Sequence, residues 1–135
     1  MAPLTTADVS ALLDLTKDGD WLPLMAAIDP NVKWTIVSDT KDTTRGTGIF
    51  NLASWQTEVA LPLRANIEGQ IKLKVTSIDV IGNKAIVEGQ GEATQKNGKP
   101  YNNRYAYFLI FSDEKKIVEI REYLDSALVM DVLKG

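Results

Sequence analysis

"KIVEIREYLD", residues 116–125, alternates strictly: Ile117, Glu119, Arg121, Tyr123 and Asp125 fall on one parity, and Val118, Ile120, Glu122 and Leu124 on the other. Such alternation marks a half-buried β-strand, whose successive side chains leave opposite faces. The second parity is apolar at every position but Glu122. A carboxylate in an aliphatic row costs several kcal/mol when buried without a partner. Glu122 therefore needs a partner, a proton or a use.

Working outward, the preceding segments repeat the same grammar. "DEKK" (113–116) is a turn behind the long strand "YNNRYAYFLIFS" (101–112), itself preceded by the turn "KNGKP" (96–100). "KAIVEGQGEATQ" (84–95) is another strand, entered through the tight-turn pair "GN" at 82–83. In "EGQIKLKVTSIDVIG" (68–82), Ile71, Leu73 and Val75 share one parity while Ile78 and Val80 take the other. That switch predicts a β-bulge near Thr76–Ser77 that bends the sheet.

The first half of the chain is helical. "TTADVSALLDLTKDGD" (5–20) predicts a helix capped by Thr5 or Thr6, with Val9, Leu12, Leu13 and Leu15 as its apolar stripe and Gly19 as its stop. Asp20 can cap a shorter helix, "WLPLMAAI", with Pro23 in its first turn. "DPN" (29–31) reads as a turn, and "VKWTIVS" (32–38) as a strand with Trp34, Ile36 and Ser38 on one face. A polar loop, "DTKDTTRGTG", leads to a third helix, "LASWQTEVA", capped by Asn51 and expected to end before Pro62. Helices first and an antiparallel meander after make the fold class α+β, with residues 1–135 as one domain.

Composition narrows the chemistry. The 135 residues carry a net charge of −3 with a pI near 4.9, unlike the clustered Lys and Arg of a nucleic-acid-binding surface. No apolar stretch approaches the roughly 20 residues of a membrane span, and "MAPLTTADVS" lacks a signal-peptide pattern, so a cytoplasmic location is expected. There is no cysteine and no histidine. Thiolate nucleophiles, Ser-His and Cys-His pairs and the usual zinc ligands are all absent. Acid–base work must fall to Asp, Glu, Tyr or Lys. No phosphate loop or dinucleotide fingerprint occurs, because "GQGEATQKNG" sets its glycines inside a strand. No cofactor and no metal are expected.

"GKPYNNRYAYFLIF", "KKIVEIREYLD" and "TRGTGIFNL" resemble the last two strands and the approach to the third helix of the NTF2-like superfamily, in its SnoaL-like and limonene-epoxide-hydrolase-like branch. The resemblance spans nearly the whole chain and implies a cone: a curved antiparallel sheet wrapped over the N-terminal helices around an apolar pocket. Members include isomerases, cyclases, dehydratases, epoxide hydrolases and non-catalytic carriers. It implies pocket-facing positions at Val118, Ile120, Glu122 and Leu124; at Asn103, Tyr105 and Tyr107; at Glu88, Gln90 and Glu92; and at Trp34, Ile36 and Ser38, with Trp55 as a further wall. A slip of one register would turn Glu88 and Glu92 to solvent instead. Tyr105 and Tyr107 equally suit an aromatic core.

In the limonene-epoxide hydrolases an Asp–Arg–Asp set activates water. Glu122 matches one of those acids, but Glu88 stands where the Arg would be and Gln90 where the second Asp would be. The resemblance thus favours proton shuttling over epoxide opening, with an epoxide hydrolase of altered triad as one alternative. In this reading Glu122 is the base, Glu88 a protonated donor, Tyr105 the donor to a substrate oxygen, and Gln90 and Asn103 orient the substrate. The substrate would be a small, mostly apolar molecule of natural-product type, as in secondary metabolism, undergoing isomerisation, cyclisation or dehydration. A non-catalytic binding protein with the same pocket is another alternative. A homodimer is expected through the outer sheet face, which carries Arg104, Phe108, Ile110 and Tyr123.

Overall fold

Five strands of 7–15 residues and one of three build one six-stranded mixed sheet, in the order β2-β1-β6-β5-β4-β3 when numbered along the chain. This computed structural model describes residues 2–135. The strands are β1 (Ile28–Ile36), β2 (Gly48–Phe50), β3 (Ile67–Ile81), β4 (Lys84–Gln95), β5 (Arg104–Phe111) and β6 (Ile117–Tyr123). All neighbours run antiparallel except β1 and β6, which are parallel. The helical segments are α1 (Thr6–Leu13), α2 (Leu22–Ala27), α3 (Leu52–Trp55), α4 (Leu61–Ala65) and α5 (Ser126–Lys134).

Two of the three predicted caps form. Thr5 caps α1 in a reciprocal box with Asp8, and Asn51 caps α3 in the same way with Ser54. The first helix is shorter than its sequence pattern: α1 ends at Leu13, and a 3₁₀ turn, Thr16–Asp18, carries the chain to Gly19 at φ 83, the left-handed stop expected of glycine. Trp21, rather than Asp20, occupies the cap position of α2, while Asp20 accepts from the Leu22 amide.

The bulge predicted in β3 is present. Val75 pairs with Gly89 but Ser77 with Glu88, which leaves Thr76 as the extra residue. A second irregularity lies between Glu68 and Lys72. These two breaks curl the 15-residue β3. Its free edge is covered, because Thr16 Oγ1 donates to the Leu73 carbonyl at 3.0 Å and Trp21 Nε1 to the Ile71 carbonyl at 2.9 Å. An edge strand blocked in this way cannot template further pairing.

Several expectations are corrected. "DPN" does not turn the chain; it sits within β1 as an irregularity, with Ile28 opposite Ile117 and Lys33 opposite Glu119. The third helix does not end before Pro62. Gln56–Ala60 forms a π turn that leads straight into α4, with Pro62 in its first turn. The wider i→i+5 turn relieves the clash between a proline ring and the carbonyl four residues earlier. Beyond the strand expected to run to Asp125, where the sequence reading assigns nothing, the chain forms α5. Asp125 caps it, accepting from the Ala127 amide at 3.0 Å, and Val129 and Val132 are buried. α5 packs against α4 and β3's start, in a cluster with Ile67 and Tyr101.

The main core lies between α1, α2, α3 and the inner sheet face. It contains Val9, Leu13, Leu24, Val32, Trp34, Ile36, Phe50, Val87, Leu109, Phe111, Ile117 and Ile120. Among the described residues, no helix is long and apolar enough to cross a membrane.

Candidate functional site

Glu122 sits in the middle of the sheet, paired with Ile36 on β1 and with Tyr107 on β5. Only 6% of it is exposed. The Trp34 indole Nε1 donates to its Oε1 at 2.9 Å, and Trp34 is itself held by stacking on Trp55, ring centroids 4.2 Å apart and 12° from parallel. The second carboxyl oxygen has no protein partner among the described residues. No cation pairs with Glu122 there either. Burial therefore pushes its carboxyl up to about 7, with the Trp34 hydrogen bond pulling the other way.

Beside it, β5 delivers two phenols on one face, because Tyr105 and Tyr107 are two residues apart in a strand. Their rings lie 5.7 Å apart and 4° from parallel. Burial raises both hydroxyls well above their ordinary range, and the Glu122 charge adds to this in each case. Asn103 is buried and fully engaged. Its Oδ1 accepts from the amides of Arg104 and Asp125 at 2.9 and 3.0 Å, and its Nδ2 donates to the Asp125 carbonyl at 3.0 Å and to the Tyr101 hydroxyl at 3.2 Å. It pins the start of α5 to β5 and has no valence left over for a ligand. Leu124 is half-buried and touches both core clusters.

Trp34, Ile36, Trp55, Asn103, Tyr105, Tyr107, Ile120, Glu122 and Leu124 are thus gathered on the inner side of the sheet. Four other positions are not. Val118 is 36% exposed. A break in the β5–β6 register, Ile110 opposite Glu119 but Phe111 opposite Ile117, inserts one residue and turns Ile117 inward in its place.

Glu88, Gln90 and Glu92 are exposed on the outer side, opposite to expectation. The inner face of β4 carries Ala85, Val87, Gly89, Gly91 and Ala93. The reason is space. A Cβ at Gly91 would lie 2.7 Å from Tyr105 Cε2, and one at Gly89 would lie 2.6 Å from Leu73 Cδ1. The inner side of β4 must be nearly bare for these side chains to lie across it. Glu88 accepts a hydrogen bond from Ser77 Oγ at 3.2 Å instead. The pair of carboxyls expected to share one proton therefore does not exist, and neither Glu88 nor Gln90 can complete an epoxide-opening triad with Glu122. Ser38 is half-buried, and its hydroxyl accepts from the Thr40 amide at 3.1 Å.

Sequence reasoning missed Tyr101, which is 2% exposed and whose hydroxyl lies 3.2 Å from that of Tyr105. Extending the parity of Asn103, Tyr105 and Tyr107 one step upstream would have found it. Two open clefts lie elsewhere. One of about 500 Å³ runs between α1 and the bulged part of β3, and one of about 270 Å³ lies on the outer sheet face near Lys74, Glu92 and Arg104. Among the described residues, no group of three or more acidic, His or Cys side chains is arranged to hold a metal ion. What remains is a single near-neutral carboxyl with an oriented oxygen, beside phenols on the same face of the sheet. Such a group takes up and releases protons at neutral pH.

No protein-family model matches the sequence, and no curated protein sequence matches it. Solved structures do match the fold. An NTF2-like protein from Burkholderia thailandensis superposes with a TM-score of 0.70 at 22% identity, over 94% of this chain and 95% of its own. A SnoaL-like protein from Jannaschia sp. CCS1, designated a polyketide cyclase, superposes at 0.71 and 15% identity over 100% and 96% of the two chains. A pinacolase from Penicillium brevicompactum superposes at 0.67 and 17% identity over 93% and 90%. With its curled sheet laid over N-terminal helices, this chain has the NTF2-like fold.

Proposed function

We propose that this protein is a cofactor-independent acid–base enzyme that moves a proton on a small, mostly apolar substrate, in a reaction of the isomerase, cyclase or lyase type. The observation that carries this is Glu122, a buried carboxyl with no cationic partner among the described residues, raised to about 7. Nothing in the packing requires a carboxylate there, and a near-neutral pKa is what a group needs to serve as base and then as acid in one turnover. Glu122 takes a proton from carbon, and Tyr105 donates to the substrate oxygen that receives the electron pair. Tyr107, Trp34, Trp55, Ile36, Ile120 and Leu124 form the walls. The cyclase and pinacolase designations of two structural neighbours support chemistry in this fold.

The test uses apolar cyclic ketones (1-tetralone, 2-decalone, camphor) in D₂O. Deuterium uptake at the carbon beside the carbonyl is expected with the wild type and lost with Glu122→Gln, measured by mass spectrometry. A binding protein without turnover is the second reading, favoured by the small 6% exposure of Glu122. It predicts retained ketone binding and no exchange in either protein.

The molecule is further proposed to act as a homodimer through the outer sheet face. There Tyr123 is 46% exposed and meets Phe108 edge-to-face at 5.9 Å. Arg121 lies over Phe108 at 5.7 Å, and Ile110 and Arg104 are close by on the same face.

A further inference from the structure

The cleft of about 500 Å³ between α1 and β3 is closed at one end by the hydrogen bond from Thr16 Oγ1 to the Leu73 carbonyl, 3.0 Å long. Lys17 and Lys74 each follow one partner of that bond in the chain. The bond therefore brings two cations to the same end of the cleft, and both line it. Both are exposed, and neither lies within ion-pair distance of an acid among the described residues. Asp14 is the one acid lining the cleft, and its Oδ1 accepts from Ser10 Oγ at 3.3 Å. The lining thus carries a net positive charge. Its floor is aliphatic. Thr76, the extra residue of the bulge, shifts the parity of the strand, so that Val75 and Ile78 both line the cleft beside Leu13 and Leu73. Val75 and Ile78 are only half-buried. The hydroxyls between them are engaged on β4, Thr76 with the Glu88 carbonyl and Ser77 with the Glu88 carboxylate, each at 3.2 Å. Thr6 stands at the far end, about 10 Å of helix from Leu13.

We propose that this cleft is a second binding site, for an amphipathic carboxylate. The head is held between Lys17 and Lys74, and an unbranched aliphatic tail lies along Leu13, Leu73, Val75 and Ile78 towards Thr6. A volume of about 500 Å³ is that of an ordinary small-molecule site, and an apolar lining with a few polar groups is the usual composition of one. Charge decides the head. An ammonium would be repelled by both lysines, and a neutral head would leave them without a counter-charge. Length decides the tail, because about 10 Å of helix matches an extended chain of about eight to ten carbons. The cleft shares no lining residue with the Glu122 cluster, so the proposal stands or falls independently of the acid–base reading.

Hexanoate, octanoate and decanoate, each below its micelle concentration, are the probes, titrated into ¹⁵N-labelled protein and read by amide chemical shifts. Saturable shifts are expected at Thr6, Ser10, Lys17, Val75 and Ile78. Two added CH₂ groups should tighten binding about tenfold while the tail still fits the cleft. Octanol should bind more weakly than octanoate. Lys17→Gln and Lys74→Gln, both at exposed positions, should each weaken octanoate about two- to fivefold, as exposed ion pairs do, and leave octanol unchanged. Thr6→Trp, at the exposed start of α1, should block the end of the tail and weaken decanoate more than hexanoate. Glu122→Gln should bind octanoate as the wild type does, and the two Lys variants should leave deuterium exchange on the ketones unchanged. The absence of saturable shifts with millimolar decanoate overturns the proposal. So does octanol binding as tightly as octanoate, or equal octanoate affinity in the wild type and both Gln variants. Shifts that centre on Trp34, Tyr107 and Glu122 overturn it too, since they place the acid in the other site. A wild type that exchanges no deuterium, yet shows the expected octanoate shifts, supports this site and overturns the acid–base reading alone.

Discussion

Replacing Glu122 with Gln should make the protein more stable at alkaline pH, by an amount set by the buried charge. Gln keeps an oxygen for the Trp34 indole, 2.9 Å away in the wild type, but never ionises. In the folded wild type the carboxyl titrates at about 7, against an ordinary value of 4.5. The folded state thus holds this proton more tightly than the unfolded chain does. The resulting stability is fully present below about pH 4.5, declines as the pH rises through 7, and is flat beyond. At about 1.4 kcal/mol per unit, ionising Glu122 costs the fold about 3 kcal/mol. For a chain of this length that corresponds to roughly 10 °C in Tm. Thermal melts of both proteins from pH 5 to pH 9 isolate the term, because the other titrating groups cancel in the difference. The variant should match or fall slightly below wild type at pH 5 and exceed it by several degrees at pH 8–9. A difference that does not change with pH refutes the reasoning. A variant melting far lower at every pH shows that Glu122 is an anchor whose loss leaves a partner unsatisfied.

Trp34→Phe removes the hydrogen bond that lowers the Glu122 pKa, so the acid limb of the deuterium-exchange profile should move to higher pH; it should also cost about 1–3 kcal/mol in urea denaturation through the lost Trp55 stack. Gly91→Ala should destabilise by about 1–3 kcal/mol by overpacking against Tyr105, and tetralone binding should weaken with it. Val37, at φ 62, carries a γ-turn in which the Ser38 amide donates to the Ile36 carbonyl at 2.7 Å. A β-branched residue is strained there, so Val37→Gly should raise stability by about 1 kcal/mol, where glycine in an ordinary strand would lower it. Sedimentation at micromolar concentration should show a dimer for the wild type and a monomer for Ile110→Lys; a wild type found only as a monomer refutes the interface.

The local devices were legible because each depends on neighbours in sequence. The Thr5 and Asn51 caps, the Gly19 stop, the Gly82 turn at φ 61 and the Thr76 bulge all follow from residue type and parity within a few positions. The oddity of Glu122 was legible in the same way, since a lone acid in an aliphatic row implies its own desolvation. The α5 helix was legible too, with Asp125 as cap and Val129 and Val132 one turn apart, but the preceding strand pattern obscured it.

What the sequence determined by itself was therefore the period of the strands, the turns near Gly82, Gly98 and Glu114, and the oddity of Glu122 in an aliphatic row. The tertiary structure alone decided which face of β4 looks inward and which side chains Glu122 meets. Parity divides a strand into two faces but does not say which is the inner one. On β4 the choice fell to the small residues because the rings and side chains of Tyr105 and Leu73, 14 and 18 positions away in the chain from Gly91, fill the space above Gly91 and Gly89. Excluded volume between segments distant in sequence put Glu88 in water and left Glu122 alone with Trp34 and the phenols.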